Sequence, residues 1–163
     1  MSNSISVLFV CLGNICRSPM AEGVFRQLVE EEGLDGRIRI DSAGTGDWHV
    51  GETPDPRASA VARKNGVELE SIARTIEVGD LGHFDYVLAM DRENLHDIHA
   101  LHRAHGGDAS IHLFREFDPD AEDDLEVPDP YFGAGDGFDR VYEMIHRTAG
   151  SLLDHISAEL DSE

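Results

Sequence analysis

The sequence has few basic residues, and almost none of them is a lysine. Its 163 residues include 13 Lys and Arg against 33 Asp and Glu, which gives a formal net charge of -20 and a pI near 4.6. A surface this acidic has no general attraction for nucleic acid or for an anionic membrane, so both are excluded as partners. Lys64 is the only lysine. Such a composition is typical of organisms with a high-salt cytoplasm, although an ordinary acidic cytosolic protein is the alternative.

Cysteines and long apolar runs are also scarce. Cys11 and Cys16 are the only cysteines, and a pair five positions apart cannot frame a disulfide-stapled secreted fold. The apolar run at residues 5–10 does not resemble a signal peptide, and no run approaches the length of a membrane span. Hydrophobic residues still make up 40% of the chain, which excludes general disorder. We therefore predict a soluble, cytoplasmic protein with one domain over residues 1–163.

The apolar pattern alternates between strands and helices. Residues 5–10 form a β-branched and aromatic run, typical of a strand buried on both faces. Ser18 and Pro19 then open a helical pattern as N-cap and first-turn residue, and Gly33 ends it. Such alternation predicts a parallel four-stranded sheet covered on both faces, with ligands bound beyond the carboxyl ends of the strands. The other predicted strands are 38–42, 84–90 and 110–114, and the other predicted helices are 56–66 capped by Asp55, 92–103 capped by Asp91, and 138–160.

The segment between the first strand and the first helix has a spacing that suits anion chemistry. Cys11 follows the strand, five residues separate it from Arg17, and the helix begins at once. A helix N-terminus offers unpaired N–H groups and the positive end of a dipole, which favour a thiolate. Gly13 allows the backbone N–H groups to turn inward, Arg17 offers a planar fork of donors, and Ser18 can donate to the sulfur. A nucleophile, an anion cradle and a fixed cation together predict attack on a tetrahedral dianion.

These residues belong to a longer pattern. Residues 7–22 read VLFVCLGNICRSPMAE, which resembles the signature of the low-molecular-weight protein tyrosine phosphatases. The resemblance implies a three-layer α/β/α fold of flavodoxin-like character with a four-stranded parallel sheet. It also implies hydrolysis of protein phosphotyrosine through a cysteinyl-phosphate intermediate, with no metal and no cofactor. The matching continues through DSAGT at 41–45, Trp48, PDPR at 54–57, FDY at 84–86, MD at 90–91 and DPY at 129–131.

The resemblance implies three catalytic residues. Cys11 matches the nucleophile, Arg17 the phosphate-binding cation, and Asp129 the general acid and base. The sequence around Asp129 supports its role, because residues 127–132 are rigid and apolar, and loss of hydration there would favour a protonated carboxyl. An aspartate in a surface turn between two prolines is the alternative interpretation.

Supporting residues are implied as well. Asn14 would brace the loop, Ser18 would hydrogen-bond the thiolate, and Ser42 would support this network from the second strand.

Further matching residues would surround the substrate. Trp48 and Tyr131 match aromatic residues that line the family's substrate slot, with Phe132 where some members have a second tyrosine; ordinary loop packing is the alternative. Cys16 matches a cysteine that in relatives can form a disulfide with the nucleophile, although a small packed residue is equally consistent. The residues predicted to bind substrate are Leu12, Gly13, Asn14, Ile15, Cys16, Ser18, Trp48 and Tyr131.

Three rival functions share parts of this pattern. An arsenate reductase relays a disulfide through further cysteines, and none follows Cys16. A protein-arginine phosphatase typically carries threonine where this chain has Ile15, whose apolar branch favours an aryl phosphate. A non-catalytic phosphate-binding module would have lost Cys11, Arg17 or Asp129, and all three are present. The predicted partner is therefore a phosphotyrosine-containing protein, and the chain itself is expected to be a monomer or a weak dimer.

Two features fall outside the resemblance. Ser71 stands where eukaryotic members carry a histidine that contacts the active-site loop, so the resemblance does not define the support of the loop at this point. Four histidines, at positions 96, 99, 102 and 105, recur every third residue. Steps of three rotate around a helix, so only neighbouring pairs could share an ion, and a solvated helix face is the preferred interpretation. No metal site is predicted.

Overall fold

A four-stranded parallel sheet forms the centre of the fold in the computed structural model, which describes residues 4–131, 133 and 135–162. The strand order is β2-β1-β3-β4, and every neighbouring pair is parallel, which confirms the predicted sheet. All seven residues of the first strand are buried because it lies inside the sheet with both faces covered. The strands are β1 (Ile5–Cys11), β2 (Ile38–Gly44), β3 (Tyr86–Ala89) and β4 (Ser110–Leu113).

Helices cover the two faces of the sheet, which confirms the three-layer α/β/α architecture. Alternate side chains of β1 point to opposite faces, as in any strand. Phe9 packs edge-to-face on Phe25 of one helix, at a ring-centroid distance of 5.7 Å, whereas Val10 belongs to a second cluster with Ile98 on the opposite face. The helices are α1 (Arg17–Glu31), α2 (Pro56–Lys64), α3 (Asp80–His83), α4 (Arg92–His105) and α5 (Gly137–Asp161), with a 3₁₀ turn at Phe114–Phe117.

The predicted N-terminal caps of the helices are correct with one exception. Asp55 and Asp91 cap α2 and α4 through side-chain oxygens that accept the amides of Arg57 and Asn94, each at 2.8 Å. The prediction that Ser18 caps α1 is wrong, because α1 begins at Arg17 and Ser18 lies inside its first turn. The short α3 and the 3₁₀ turn were not predicted, since four residues carry too little periodicity to be recognised.

Within the described ranges, no helix is both long and apolar enough to cross a bilayer. The histidines at 96, 99, 102 and 105 lie on α4, where the imidazole Nε2 of His102 is 3.0 Å from the carbonyl oxygen of Gly107. Across the same described ranges, no group of three potential ligands is placed to hold a metal ion.

A buried carboxylate fixes the start of the acidic segment 118–126. The Asp118 side chain is fully buried and accepts hydrogen bonds from Arg115 Nε at 2.9 Å and from Arg147 Nε and Nη2 at 2.8 and 2.9 Å. Arg115 Nη1 also donates to the carbonyl oxygen of Glu126 at 2.8 Å, at the other end of the segment. The Arg147 hydrogen bonds, assisted by Arg115, hold the pKa of Asp118 well below its usual range despite burial.

We expect Asp118→Asn to lower the free energy of unfolding by about 3 kcal/mol at pH 7, because two arginines lose their buried partner charge. The folded-state pKa of Asp118 lies below its unfolded value, so its stabilisation is complete above the unfolded pKa and is lost as pH falls toward the folded one. The difference between the proteins should therefore shrink below about pH 4. Urea unfolding at several pH values measures it.

Asp120→Asn is the matched control, because the Asp120 side chain is 70% exposed and lies 3.5 Å from the same Arg147. Asp120→Asn should lower the free energy of unfolding by no more than about 1 kcal/mol. Equal losses of unfolding free energy in the two variants would contradict a stabilising role of the ionised Asp118 side chain. A loss from Asp118→Asn that does not depend on pH would contradict it as well.

Candidate active site

The cysteine predicted as nucleophile lies at the end of β1, beneath the loop that leads into α1. Its side chain is buried, and Cys11 Sγ accepts the backbone N–H of Asn14 at 3.3 Å. Cys11 Sγ also lies 3.0 Å from Ser18 Oγ. The Asn14 amide and the Ser18 hydroxyl therefore both lie within hydrogen-bonding distance of the sulfur.

Asn14 gives the loop its turn. Its φ of 57° is in the left-handed region, which asparagine tolerates better than most residues. Its Nδ2 donates to Ser18 Oγ at 2.8 Å and to Ser42 Oγ at 2.9 Å, and its Oδ1 accepts the amide of Arg74 at 3.0 Å. The structure thus brings together the three residues predicted to support the loop.

Gly13 has a different role from the predicted one. The left-handed residue of the loop is Asn14, so the turn does not depend on Gly13. A Cβ at position 13 would lie 2.9 Å from Cδ2 of His49, so any larger residue there would displace the His49 ring. The side-chain amide that stabilises Asn14 explains why a residue other than glycine can make the turn.

The supporting network extends further than the sequence indicated. Ser42 Oγ donates to Glu22 Oε1 at 2.5 Å, and Glu22 also pairs with Arg26 at 2.9 Å. Glu22 follows Ser18 by four residues on α1, so both side chains lie on one helix face. That spacing was the available signal for Glu22, which sequence analysis missed.

β2 approaches the loop closely from below. A Cβ on Gly44 would lie 2.7 Å from the carbonyl oxygen of Leu12, so only glycine fits. Immediately after it, the amides of Thr45 and Gly46 donate to the carbonyl oxygens of Cys11 and Leu12, each at 2.9 Å. The Ser-Ala-Gly motif at the end of β2 therefore packs directly against the loop and supports it.

Ser71, where the resemblance left the support of the loop undefined, does not support the loop. Its hydroxyl is buried and, among the residues that the structure describes, has no hydrogen-bond partner. The backbone amide of Arg74 binds Asn14 instead. The guanidinium of Arg74 is held between Asp41 at 3.1 Å and Asp80 at 3.0 Å, which fixes this segment.

Arg17 is a buried cation at the start of α1 that contacts the end of β3 and the segment before Asp129. Its side chain is 2% exposed, and Nη1 donates to Asp91 Oδ2 at 2.7 Å and to the carbonyl oxygen of Val127 at 2.9 Å. Although burial opposes its charge, the negative charges of Cys11 and Asp91 raise the pKa of Arg17. Asp91 was predicted only as a helix cap, but it has two roles: its Oδ1 caps α4 and its Oδ2 accepts the hydrogen bond from Arg17.

The predicted apolar enclosure of Asp129 is wrong. Pro128 and Asp129 are exposed, and the side chain of Asp129 retains 34% of its accessible surface. Asp129 Oδ1 accepts the amide of Tyr131 at 3.0 Å, while Oδ2 lies 3.6 Å from Arg17 Nη2. The segment is anchored by Val127, whose amide donates to the carbonyl oxygen of Met90 at 2.7 Å. Asp129 therefore stands at the rim of the site, next to the buried cation.

The three predicted catalytic residues, Cys11, Arg17 and Asp129, line one cavity. Its volume is about 450 Å³, and it opens beyond the carboxyl ends of the strands, as the fold class predicts. Asn14 and Ser18, which were predicted to bind substrate as well as to support the loop, are buried behind it and do not line the cavity. His49, which sequence analysis missed, does line it. The lining residues are Cys11, Leu12, Gly13, Ile15, Cys16, Arg17, Trp48, His49, Asp129 and Tyr131.

The two cysteines have different surroundings within this cavity. Burial, with the charge of Asp55 next in importance, raises the pKa of the Cys16 thiol well above its usual range. Cys16 is therefore a neutral thiol that lines the same cavity as Cys11. Both cysteines are free, and a disulfide between them stays a prediction.

Aromatic side chains form the mouth of the cavity. Trp48 is 69% exposed, and the ring of Tyr131 lies 6.1 Å from that of His49. Phe132, expected near them, lies outside the described residues. A sulfur at the floor, a guanidinium beside it, a carboxyl at the rim and aromatic rings at the mouth suit an aryl ester of a tetrahedral dianion.

Comparisons with known proteins agree with this geometry. Residues 6–162 match the family described as low molecular weight phosphotyrosine protein phosphatase. The chain is 49% identical over 158 residues to the Schizosaccharomyces pombe protein of that name, covering 96% of this chain and 100% of that protein.

Solved structures agree as well. The crystal structure of YfkJ from Bacillus subtilis matches with a TM-score of 0.88 and 40% identity, over 96% of both chains. The structure of DARP, a Drosophila arginine phosphatase, matches with a TM-score of 0.87 and 33% identity, over 92% of this chain and 96% of that one. The chain is therefore a member of the low molecular weight phosphotyrosine protein phosphatase family.

Proposed function

We propose that this protein hydrolyses phosphotyrosine in protein substrates, as a cysteine-dependent phosphomonoesterase that needs no metal or cofactor. The observation that carries the proposal is the convergence of Cys11, Arg17 and Asp129 on one cavity of about 450 Å³. The chemistry of that set is phosphoryl transfer to sulfur and then to water. The expectations of a cytoplasmic location and of a monomer or weak dimer belong to the same proposal.

In the first step, the Cys11 thiolate attacks the phosphorus of phosphotyrosine. An S–P bond forms as the P–O bond to the tyrosine breaks, and Asp129 donates a proton to the departing phenolic oxygen. Arg17 and the N–H groups at the start of α1 stabilise the equatorial phosphate oxygens. The free tyrosine then leaves.

In the second step, water releases the phosphate. The Asp129 carboxylate, now without its proton, takes one from water as the water oxygen attacks phosphorus. The S–P bond breaks, inorganic phosphate leaves, and Cys11 departs as a thiolate that Ser18 Oγ and the Asn14 amide stabilise at 3.0 and 3.3 Å. The cycle returns the sulfur and the carboxyl to their starting protonation states.

The lining of the cavity favours an aryl ester over a guanidinium phosphate. Ile15 is 7% exposed and presents an apolar branch to the cavity, and Tyr131 and Trp48 flank its mouth. A phenyl ring gains from apolar and aromatic neighbours. A phosphoarginine side chain would lose hydration at Ile15 without gaining a hydrogen-bond acceptor there.

Cys11→Ser should reduce hydrolysis of p-nitrophenyl phosphate by a factor of at least about 10³, because the hydroxyl is a much weaker nucleophile. The wild-type rate should not change when EDTA is added. Circular dichroism and thermal unfolding of the variant control for folding. Turnover that survives the substitution, or that requires Mg²⁺, would refute the mechanism.

Asp129→Asn should lower kcat by about 10² or more, because the amide cannot donate a proton to the leaving oxygen. The loss should be larger for phenyl phosphate than for p-nitrophenyl phosphate, whose leaving group needs less protonation. Steady-state rates with both esters measure the difference. Equal slowing for the two substrates would show that Asp129 does not act as the acid.

Matched peptides that carry phosphotyrosine or phosphoarginine at one position test the substrate class. We expect kcat/KM to favour phosphotyrosine by roughly 100-fold, the scale on which a shaped pocket discriminates side chains. Ile15→Thr should lower the ratio of kcat/KM for phosphotyrosine to that for phosphoarginine, because it reduces the apolar surface of the cavity. A wild-type preference for phosphoarginine would replace the proposed function with that of an arginine phosphatase.

A further inference from the structure

Arg57, in the first turn of α2, makes two kinds of contact beside the active site. Its Nε and Nη2 donate to the two carboxylate oxygens of Asp55, at 3.1 and 3.0 Å. The same guanidinium lies 5.3 Å from the ring centroid of Tyr131 and 4.7 Å from that of Phe138. One side chain therefore joins α2, the segment that carries Asp129 and the first turn of α5.

Asp55 connects this guanidinium to the phosphate-binding loop. Its backbone N–H donates to the carbonyl oxygen of Ile15 at 2.8 Å, and its carboxylate caps α2 through the amide of Arg57. Asp55 is 8% exposed, so it has little freedom to move. The position of Arg57 is thus fixed relative to the loop that would bind the phosphate group.

The two aromatic residues at the mouth of the cavity are held differently. Trp48 is 69% exposed. The Tyr131 ring, in contrast, has two neighbours, the Arg57 guanidinium at 5.3 Å from its centroid and the His49 ring at a centroid distance of 6.1 Å. A ring fixed at a set distance from the phosphate loop offers a substrate ring a preformed surface, which reduces the entropy lost on binding.

We propose that Arg57 is a positioning residue that selects aryl phosphates by fixing the ring of Tyr131 against the phosphate-binding loop. The inference rests on the proposed function, because it names the residue that sets the preference of that site for an aromatic ester. Arginine suits the task since its planar fork can pair with a carboxylate through its edge while its face lies on aromatic rings. A lysine at this position would keep the positive charge, but its ammonium group could not pair with the carboxylate through an edge and lie flat on the aromatic rings.

Binding of two ligands by calorimetry separates the ring surface from the phosphate loop. Inorganic phosphate contacts only the loop, whereas benzylphosphonate also presents a phenyl ring to Tyr131. Arg57→Met should raise the dissociation constant of benzylphosphonate by about 3- to 5-fold, which is the effect of losing a partly exposed cation–π contact. The dissociation constant of inorganic phosphate should not change. Arg57→Lys should also weaken the binding of benzylphosphonate. Lysine keeps the positive charge, but it lacks the planar guanidinium that pairs with Asp55 and lies on the rings. Arg63→Met is the matched control, since Arg63 lies on the same helix and pairs with the exposed Glu68 at 3.1 Å.

A double-mutant cycle with Tyr131→Ala tests the route of the effect. If Arg57 acts through Tyr131, Arg57→Met should cause no further change in the ratio of the two dissociation constants in the Tyr131→Ala background. An equal loss for both ligands, an unchanged ratio, full rescue by Arg57→Lys, or an effect that persists without Tyr131 would each overturn the inference. Hydrolysis is measured separately, so inactivity toward phosphotyrosine would refute the proposed function without affecting this binding result.

Discussion

A guanidinium buried almost completely from water is the constraint on which the site depends. Arg17 is 2% exposed, and such a charge is tolerated only with a close counter-charge and full hydrogen bonding. Asp91 supplies the charge at the carboxyl end of β3, and the Val127 carbonyl supplies a further acceptor. The helix α4 and the segment that carries Asp129 are thereby fixed to the same atom group. The start of α1, the end of β3 and the segment that carries Asp129 therefore cannot move independently.

The strong negative charge of the chain is compatible with a dianionic substrate because recognition is local. The amides at the start of α1 and Arg17 act at contact distance, whereas surface charges are screened beyond about 8 Å at physiological salt. Asp118 shows that part of the acidic excess is structural, since it is buried between Arg115 and Arg147. The remaining exposed carboxylates affect solubility more than fold, and an origin in a high-salt cytoplasm stays a prediction.

The sequence predicted most of the fold and the residues at the centre of the site, because both follow from local patterns. Continuous apolar residues predicted β1, and aspartates before helical patterns predicted the caps of α2 and α4. Partners distant in the chain escaped prediction. Asp91 was recognised as a cap but not as the counter-charge of Arg17, and Glu22 was not recognised as the acceptor for Ser42. Asp129 was expected in an apolar enclosure, but the prolines beside it restrict the backbone without covering the carboxyl.

The sequence by itself determined the elements, their alternation and the order of cysteine, arginine and helix start, because hydrophobic periodicity and capping act over a few residues. Only the tertiary structure decided how the loop is held. Asn14, and not Gly13, takes the left-handed conformation, since its side chain reaches Ser18, Ser42 and the Arg74 amide, from three separate parts of the chain. Hydrogen bonds between distant segments depend on where the sheet places them, and no local pattern encodes that placement.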